Sequence, residues 1–348
     1  MMPEEWPIAA FAADDNAPAR FVGRGRLATV RRDFFLNPAK RLTEQERALM
    51  TAMLHCLVGD VAAAVRAALP GGRVAANDES DTALIATLTA TGLLDEPGLM
   101  TLLLRRADEE RISTAARARS GRREARVLQG LVSHDYGAVA AAAMALILGR
   151  GRRRDRFGQC LLAFDDLSEA SANSLVQAVA AGLRAELAAK RGPSVADIEL
   201  SEAADQVLEQ RDEERGTDSL TTALVHFLDE AGGLTDELIL AAANEGEIGF
   251  VAEVVARRAG VPTDSALDEL LSGESGHVMG LLRAAGISRE LGAGLLGGIG
   301  DLLGIADAGA AISIFDRMTD AEVQTARSWL LTTPAYRAAL DRLGQGRG

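Results

Sequence analysis

Thirteen arginines and six acids fall between Arg105 and Arg156, in a chain of 348 residues whose net charge is −13. Arg119, Arg122, Arg123 and Arg126 follow one another at helical spacing and share one helix face. Arg150, Arg152, Arg153, Arg154 and Arg156 cluster just after a predicted helix end. A guanidinium fork matches the geometry of phosphate and carboxylate. These nine arginines are therefore the candidate binding residues, for a nucleotide, a phosphoprotein or an acidic helix. Three structural roles compete. Cations after a helix C-terminus favour its dipole, and Glu124 and Asp155 lie nearby as partners. Arginine also stands in for lysine throughout, since only Lys40 and Lys190 occur. The belt could finally clasp the acidic run at 197–218.

Other chemistries find less support. Gly292-Ala-Gly294-Leu-Leu-Gly297 spells a dinucleotide fingerprint, but the preceding Ile287–Leu291 reads as helix where a strand is required. The bland alternative is tight helix packing, in a segment softened by glycine. Gly273-Glu-Ser275-Gly-His277 misplaces the last glycine of a nucleophile elbow, so Ser275 reads as a helix cap and His277 as a first-turn residue. His55 and Cys56 are neighbours on one helix and do not face each other. Cys56 and Cys160 read as core residues, His226 as a core histidine between Val225 and Phe227. None of the four histidines stands at metal-ligand spacing to another His or Cys. Adjacent acids such as Asp165-Asp166 and Glu213-Glu214 diverge on a helix. The expectation is a protein that is not an enzyme, with no metal and no cofactor.

Charge and composition narrow the partners. Residues 157–348 hold 14 basic against 31 acidic residues, which argues against wrapping along nucleic acid. Two cysteines exclude a disulfide scaffold and suit a reducing compartment. The start MMPEEWPIAAFAADD is acidic, unlike a secretory leader. No run of about 18 uncharged apolar residues stands out, so no membrane partner is expected and the cytoplasm is the default location.

The elements that must position the arginines read as helices. Apolar residues make up 48% of the chain and aromatic ones only 4%, a balance that favours helix over sheet. Residues 1–41 read as an N-terminal arm. Thr43 and Glu46 have capping-box spacing ahead of a face formed by Met50, Leu54, Leu57, Val61, Val65 and Ala68. Pro97 opens a helix, and further helices are expected at 108–119, 122–133, 136–149, 158–164 and 168–190. Gly192-Pro193 stops the last of these. Nine more follow between 219 and 343, among them 288–303.

Gly92-Leu-Leu-Asp-Glu-Pro resembles Gly233-Leu-Thr-Asp-Glu-Leu, and the turns at Gly260 and Gly286 resemble each other. Such repetition suits stacked antiparallel helical hairpins. The stretches Arg41–Met50, Gly92–Arg111 and Ala256–Pro262 resemble a bacterial family of helical, HEAT-like proteins, catalogued as a domain of unknown function. The resemblance covers most of residues 40–304. It implies an all-helical solenoid and carries over no catalytic residue. The expected fold is all-α, a HEAT-like α-solenoid in two related halves, 42–192 and 193–348. The expected function is a cytoplasmic scaffold or regulatory adaptor for a protein partner, self-association being open. The alternative is a sensor of an anionic small molecule, such as a nucleotide second messenger, at the arginine belt.

Overall fold

Thr43 and Glu46 close the expected capping box: the Thr43 amide donates to Glu46 Oε2 at 2.8 Å, and the Glu46 amide to Thr43 Oγ1 at 3.1 Å. From there a computed structural model describes residues 42–71, 78–121, 126–333, 336–337, 339–340 and 343. The N-terminal arm, Arg122 and Arg123 lie outside the described residues. Among the described residues the regular structure is helical, without a strand. Fifteen helices among the described residues are α1 (Glu44–Ala68), α2 (Asp78–Ala90), α3 (Pro97–Ser120), α4 (Arg126–Leu131), α5 (Gly137–Arg152), α6 (Glu169–Arg191), α7 (Pro193–Glu209), α8 (Thr217–Glu230), α9 (Asp236–Asn244), α10 (Ile248–Ala259), α11 (Thr263–Leu271), α12 (Ser275–Ala284), α13 (Arg289–Leu295), α14 (Ala308–Arg317) and α15 (Asp320–Leu330). The body considered below is Ala48–Gly348.

Two apolar cores organise this body. The first gathers α1, α2, the start of α3, α6 and α7 around Leu57, Val61, Leu88, Leu103, Val179 and Ala204. The second gathers the end of α3 with α4, α5 and α8 to α15 around Ile112, Leu146, Leu224, Phe250, Met279 and Leu330. Each fully buried leucine contributes about 1.5–3 kcal/mol. The cores do not divide the chain at Gly192-Pro193. Leu187 and Leu200, on either side, share the first core, while Leu146 joins the second. Gly192, at φ +88°, and Pro193 at the first turn of α7 make that point a tight helix-to-helix turn.

The helix α3 serves both cores. Leu99, Leu103 and Ala107 enter the first; Ile112 and Ala116 enter the second. The charged stretch from Arg105 to Arg111 sits at the changeover. A break before residue 108 was expected there, yet the helix runs through. No glycine or proline interrupts residues 99–120, and Arg106–Glu109 and Asp108–Arg111 pair at a spacing of three.

Other elements differ from expectation. Residues 158–164 are not a helix. Arg154 and Cys160 form an isolated antiparallel bridge, and Phe164–Asp166 make one 3₁₀ turn. The acidic run is helical to Glu209 and turns at Glu213–Arg215. The glycine segment leaves α13 as a π-helical turn, Leu296–Gly300. A Cβ on Gly294 would lie 3.1 Å from Leu240, and one on Gly298 would run into the Asn244 side chain, so these glycines permit close helix approach. Cys56 is exposed, because the buried face of α1 runs through Met53, Leu57 and Val61 instead. His226 is also exposed, beside Arg257 and Glu230. Ser275 is the first residue of α12, with Glu274 in the cap position. By length and composition α1 is apolar enough to cross a membrane, although Asp60 interrupts its uncharged run. It buries one face in the first core.

Candidate functional site

The helix α5 has no polar side chain from Gly137 to Gly149, then carries arginine at 150 and 152. Its inner face buries Val139, Ala143, Leu146 and Gly149. Ala141, Met144 and Leu148 face solvent at helical spacing. Helical phase then sorts the arginines. Arg150 follows Leu146 by four positions and turns inward; Arg152 follows Leu148 by four and turns outward. Arg153 caps the C-terminus of α5, and its guanidinium reaches back to the Gly149 carbonyl.

Arg150 and Arg153, which turn inward, and Arg154, which stays exposed, are each held by a carboxylate of another segment. Arg150 pairs with Glu247 at the start of α10. Arg153 donates Nε to Asp166 Oδ2 at 2.6 Å, Nη1 to the Gly149 carbonyl at 2.9 Å and Nη2 to the Arg215 carbonyl at 2.8 Å. Arg154 forks onto Glu110, at 3.2 Å to Oε1 and 2.9 Å to Oε2, and also donates to the Gly158 carbonyl. Arg117 lies 3.6 Å from the same Glu110 carboxylate. These pairs form an internal clasp of a different kind from the one expected. Its carboxylates are Glu110, Asp166 and Glu247; among the described residues the 197–218 run adds the Arg215 carbonyl, which accepts from Arg153, and the Asp218 carboxylate, which pairs with Arg106 at 2.7 Å.

A cleft of about 320 Å³ opens among these groups. The middle of α3 lines it with Arg106, Glu109, Glu110 and Arg117; the end of α5 and the loop after it bring Arg150, Arg153 and Arg154. Leu128, Ile147, Leu161 and Ile248 supply apolar wall. Gly246, Glu247 and Gly249 bring the N-terminus of α10 to the cleft. That helix start has no side-chain cap, since the Glu247 carboxylate reaches Arg150 instead. Gly246 has φ +75°, and a Cβ there would lie 2.6 Å from the Ser113 Cα, so glycine lets this turn close onto α3.

The surroundings shift three acids. Burial pushes the Glu109 carboxyl up, against the pull of Arg106 at 2.7 Å. Burial also disfavours an ionised Asp166, but hydrogen bonding from Arg153, the charge of Arg106 and the Thr217 amide hold that carboxyl below its ordinary value. The Cys160 thiol is pushed up to about 11, first by burial and then by Glu110. It stays a thiol near neutral pH and is a poor nucleophile.

The remaining candidates lie elsewhere. Arg119 is exposed and pairs with Asp301, beside the glycine segment. Arg126, Arg152 and Arg156 are exposed. The Arg156 guanidinium lies 4.7 Å from the centre of the Phe157 ring, and Phe157 is 74% exposed. The expected local partner Asp155 accepts from the amides of Phe157 and Gln159. Among the described residues no group of three His, Cys, Asp or Glu could hold a metal ion.

Sequence spacing missed Arg106, Arg117, Glu110 and Glu247, because their partners come from other helices. It also missed a second cavity of about 880 Å³, where Asp165, Asp218, Asp264 and Asp268 converge with Arg105 and Trp329. The open face of α5 did leave a signal: thirteen residues without a polar side chain, more than one buried stripe needs.

The model of a family described as an uncharacterised protein conserved in bacteria (DUF2336) matches residues 113–328. No curated protein and no solved structure matches the chain.

Proposed function

The chain belongs to this uncharacterised bacterial family, and from that premise we propose that it is a non-enzymatic, cytoplasmic adaptor whose outer α5 face docks an acidic amphipathic helix of a protein partner. The observation that carries this reading is the solvent-facing stripe Ala141, Met144 and Leu148, which runs into Arg152 and is followed by Arg156 and Phe157. Apolar anchors with arginine and an aromatic beside them are the composition of interface hot spots. An amphipathic helix laid on such a face would contribute apolar residues at spacings of three and four. Acids at its rim would meet Arg152 and Arg156.

The HEAT-like stacking and the two related halves belong to the same reading. The stacking is supported by the left-handed turn glycines Gly260 and Gly286, both at φ +65°, and by the packing of α10 on α11 and of α11 on α12; the halves are supported by the sequence likeness of 92–97 and 233–238, although the two cores do not part at Gly192-Pro193. A stacked array exposes helix faces along its length, as docking requires.

The test places a photo-crosslinking residue at Met144 in the full chain and exposes it to native bacterial lysate. The expected product is a stoichiometric adduct to an acidic helical segment, lost in Leu148→Asp and in Arg152→Glu while helical content and Tm hold. Sedimentation runs alongside. A self-adduct with concentration-dependent association, lost in Leu148→Asp, would replace the partner with a second copy. An adduct indifferent to both substitutions, or none, would overturn the proposal.

A further inference from the structure

We infer that the inner cleft is a second binding site, for a small polyanion without an aromatic group, bearing phosphate or carboxylate. It is independent of the α5 docking face, from which it takes no residue.

Five guanidinium groups line the cleft, those of Arg106, Arg117, Arg150, Arg153 and Arg154, with the carboxylates of Glu109, Glu110 and Glu247 beside them, while Asp218 and Asp166 hold Arg106 and Arg153 from behind the lining. The amides at the uncapped start of α10 add the positive end of a 12-residue helix. Two glycines there, Gly246 and Gly249, let that helix start come close to Ser113 and to the Glu109 carboxylate. The apolar wall lowers the local dielectric, which strengthens each charged contact. The volume suits a small metabolite. The absence of an aromatic ring among the lining residues leaves a base nothing to stack on.

Glu110 shows what the site can hold. Its carboxylate takes both forks of Arg154 and approaches Arg117. It is a tethered anion in the place a free one would occupy. A ligand phosphate or carboxylate would enter by displacing it, Arg154 transferring its two hydrogen bonds and Arg117 its ion pairing to the newcomer. Glu247 stands in the same relation to Arg150. No covalent step is involved.

This mechanism predicts opposite signs for neighbouring substitutions. Glu110→Gln removes the internal competitor and should tighten binding. Arg154→Gln removes a fork and should weaken it. Each change should be about tenfold, the equivalent of one charge-assisted hydrogen bond. Pyrophosphate and citrate serve as the phosphate and carboxylate probes, titrated calorimetrically at fixed ionic strength into the full chain. Saturable binding of either probe, tighter in Glu110→Gln and weaker in Arg154→Gln, is the expected result. Which probe binds tells phosphate from carboxylate. Arg117→Gln is the second weakening variant should Arg154→Gln melt early, and Arg184→Gln, an exposed arginine paired with Asp197 outside the cleft, is the control that leaves affinity unchanged. No saturation by either probe up to about 10 mM would overturn the site. So would binding that Glu110→Gln weakens, or that no cleft variant alters.

Discussion

Arg150 and Arg152 stand two positions apart on α5 and end in different surroundings. Arg150 turns into the cleft and pairs with Glu247, about a hundred residues along the chain. Arg152 points to solvent. The same division runs through the rest of the belt. Arg153 and Arg154 are held by Asp166 and Glu110, while Arg156 lies over an exposed ring. A dense basic run thus contains arginines held by carboxylates and arginines turned to solvent, and helical phase separates only Arg150 from Arg152, because α5 ends at Arg152. The held arginines are preorganised by carboxylates and cost desolvation to maintain; Arg152 and Arg156 stay in solvent.

The strongest way to break this comparison is Arg153→Ala. The Asp166 carboxylate is 1% exposed and the Arg153 side chain 11%. Removal of one partner leaves a buried charge, and urea unfolding should show a loss of about 3–5 kcal/mol. A loss under about 1 kcal/mol would mean that the inner arginines are as solvated as the outer ones.

Acid sharpens the same contrast. The Asp166 carboxyl is held below its ordinary value in the folded chain, so it binds its proton less readily there than when unfolded. Its contribution to stability is complete above the unfolded pKa of about 3.9 and disappears as pH falls through the lower folded value. Asp166→Asn should therefore flatten the acid limb of the stability profile measured by denaturant titration. Glu109 has the opposite sign. Its raised carboxyl costs stability as pH climbs from about 4.3 through the folded value.

The smallest effect belongs outside. Arg152→Gln and Arg156→Gln should each shift stability by no more than about 0.5 kcal/mol, as solvent-exposed substitutions do. Thermal melts of the two variants beside Arg153→Ala would test the division directly. A large loss at either outer position would show it engaged in the fold.

Much of this architecture was legible in the sequence. The capping box at Thr43 and Glu46, the start at Pro97 and the stop at Gly192 are local signals, each acting within a few residues. The continuity of α3 was missed for a reason of range: its charged middle looks like a break until two cores are seen to claim its two ends. Cys56 and His226 were misplaced because a small or amphipathic residue beside apolar neighbours can sit on either side of a helix.

The sequence by itself determined that the chain is helical, that its basic charge is concentrated between residues 105 and 156, and that α5 holds more apolar surface than one core can use. Periodicity and propensity are properties of neighbours, and neighbours are what a sequence records. Tertiary structure decided which arginines face inward, which glutamates hold them, and that α3, α5 and α10 meet around a cleft. Glu110 and Arg154 are 44 residues apart, Arg150 and Glu247 are 97. Such pairs exist only once two hydrophobic cores have brought separate helices together, because long-range electrostatic partners are chosen by packing and not by spacing along the chain.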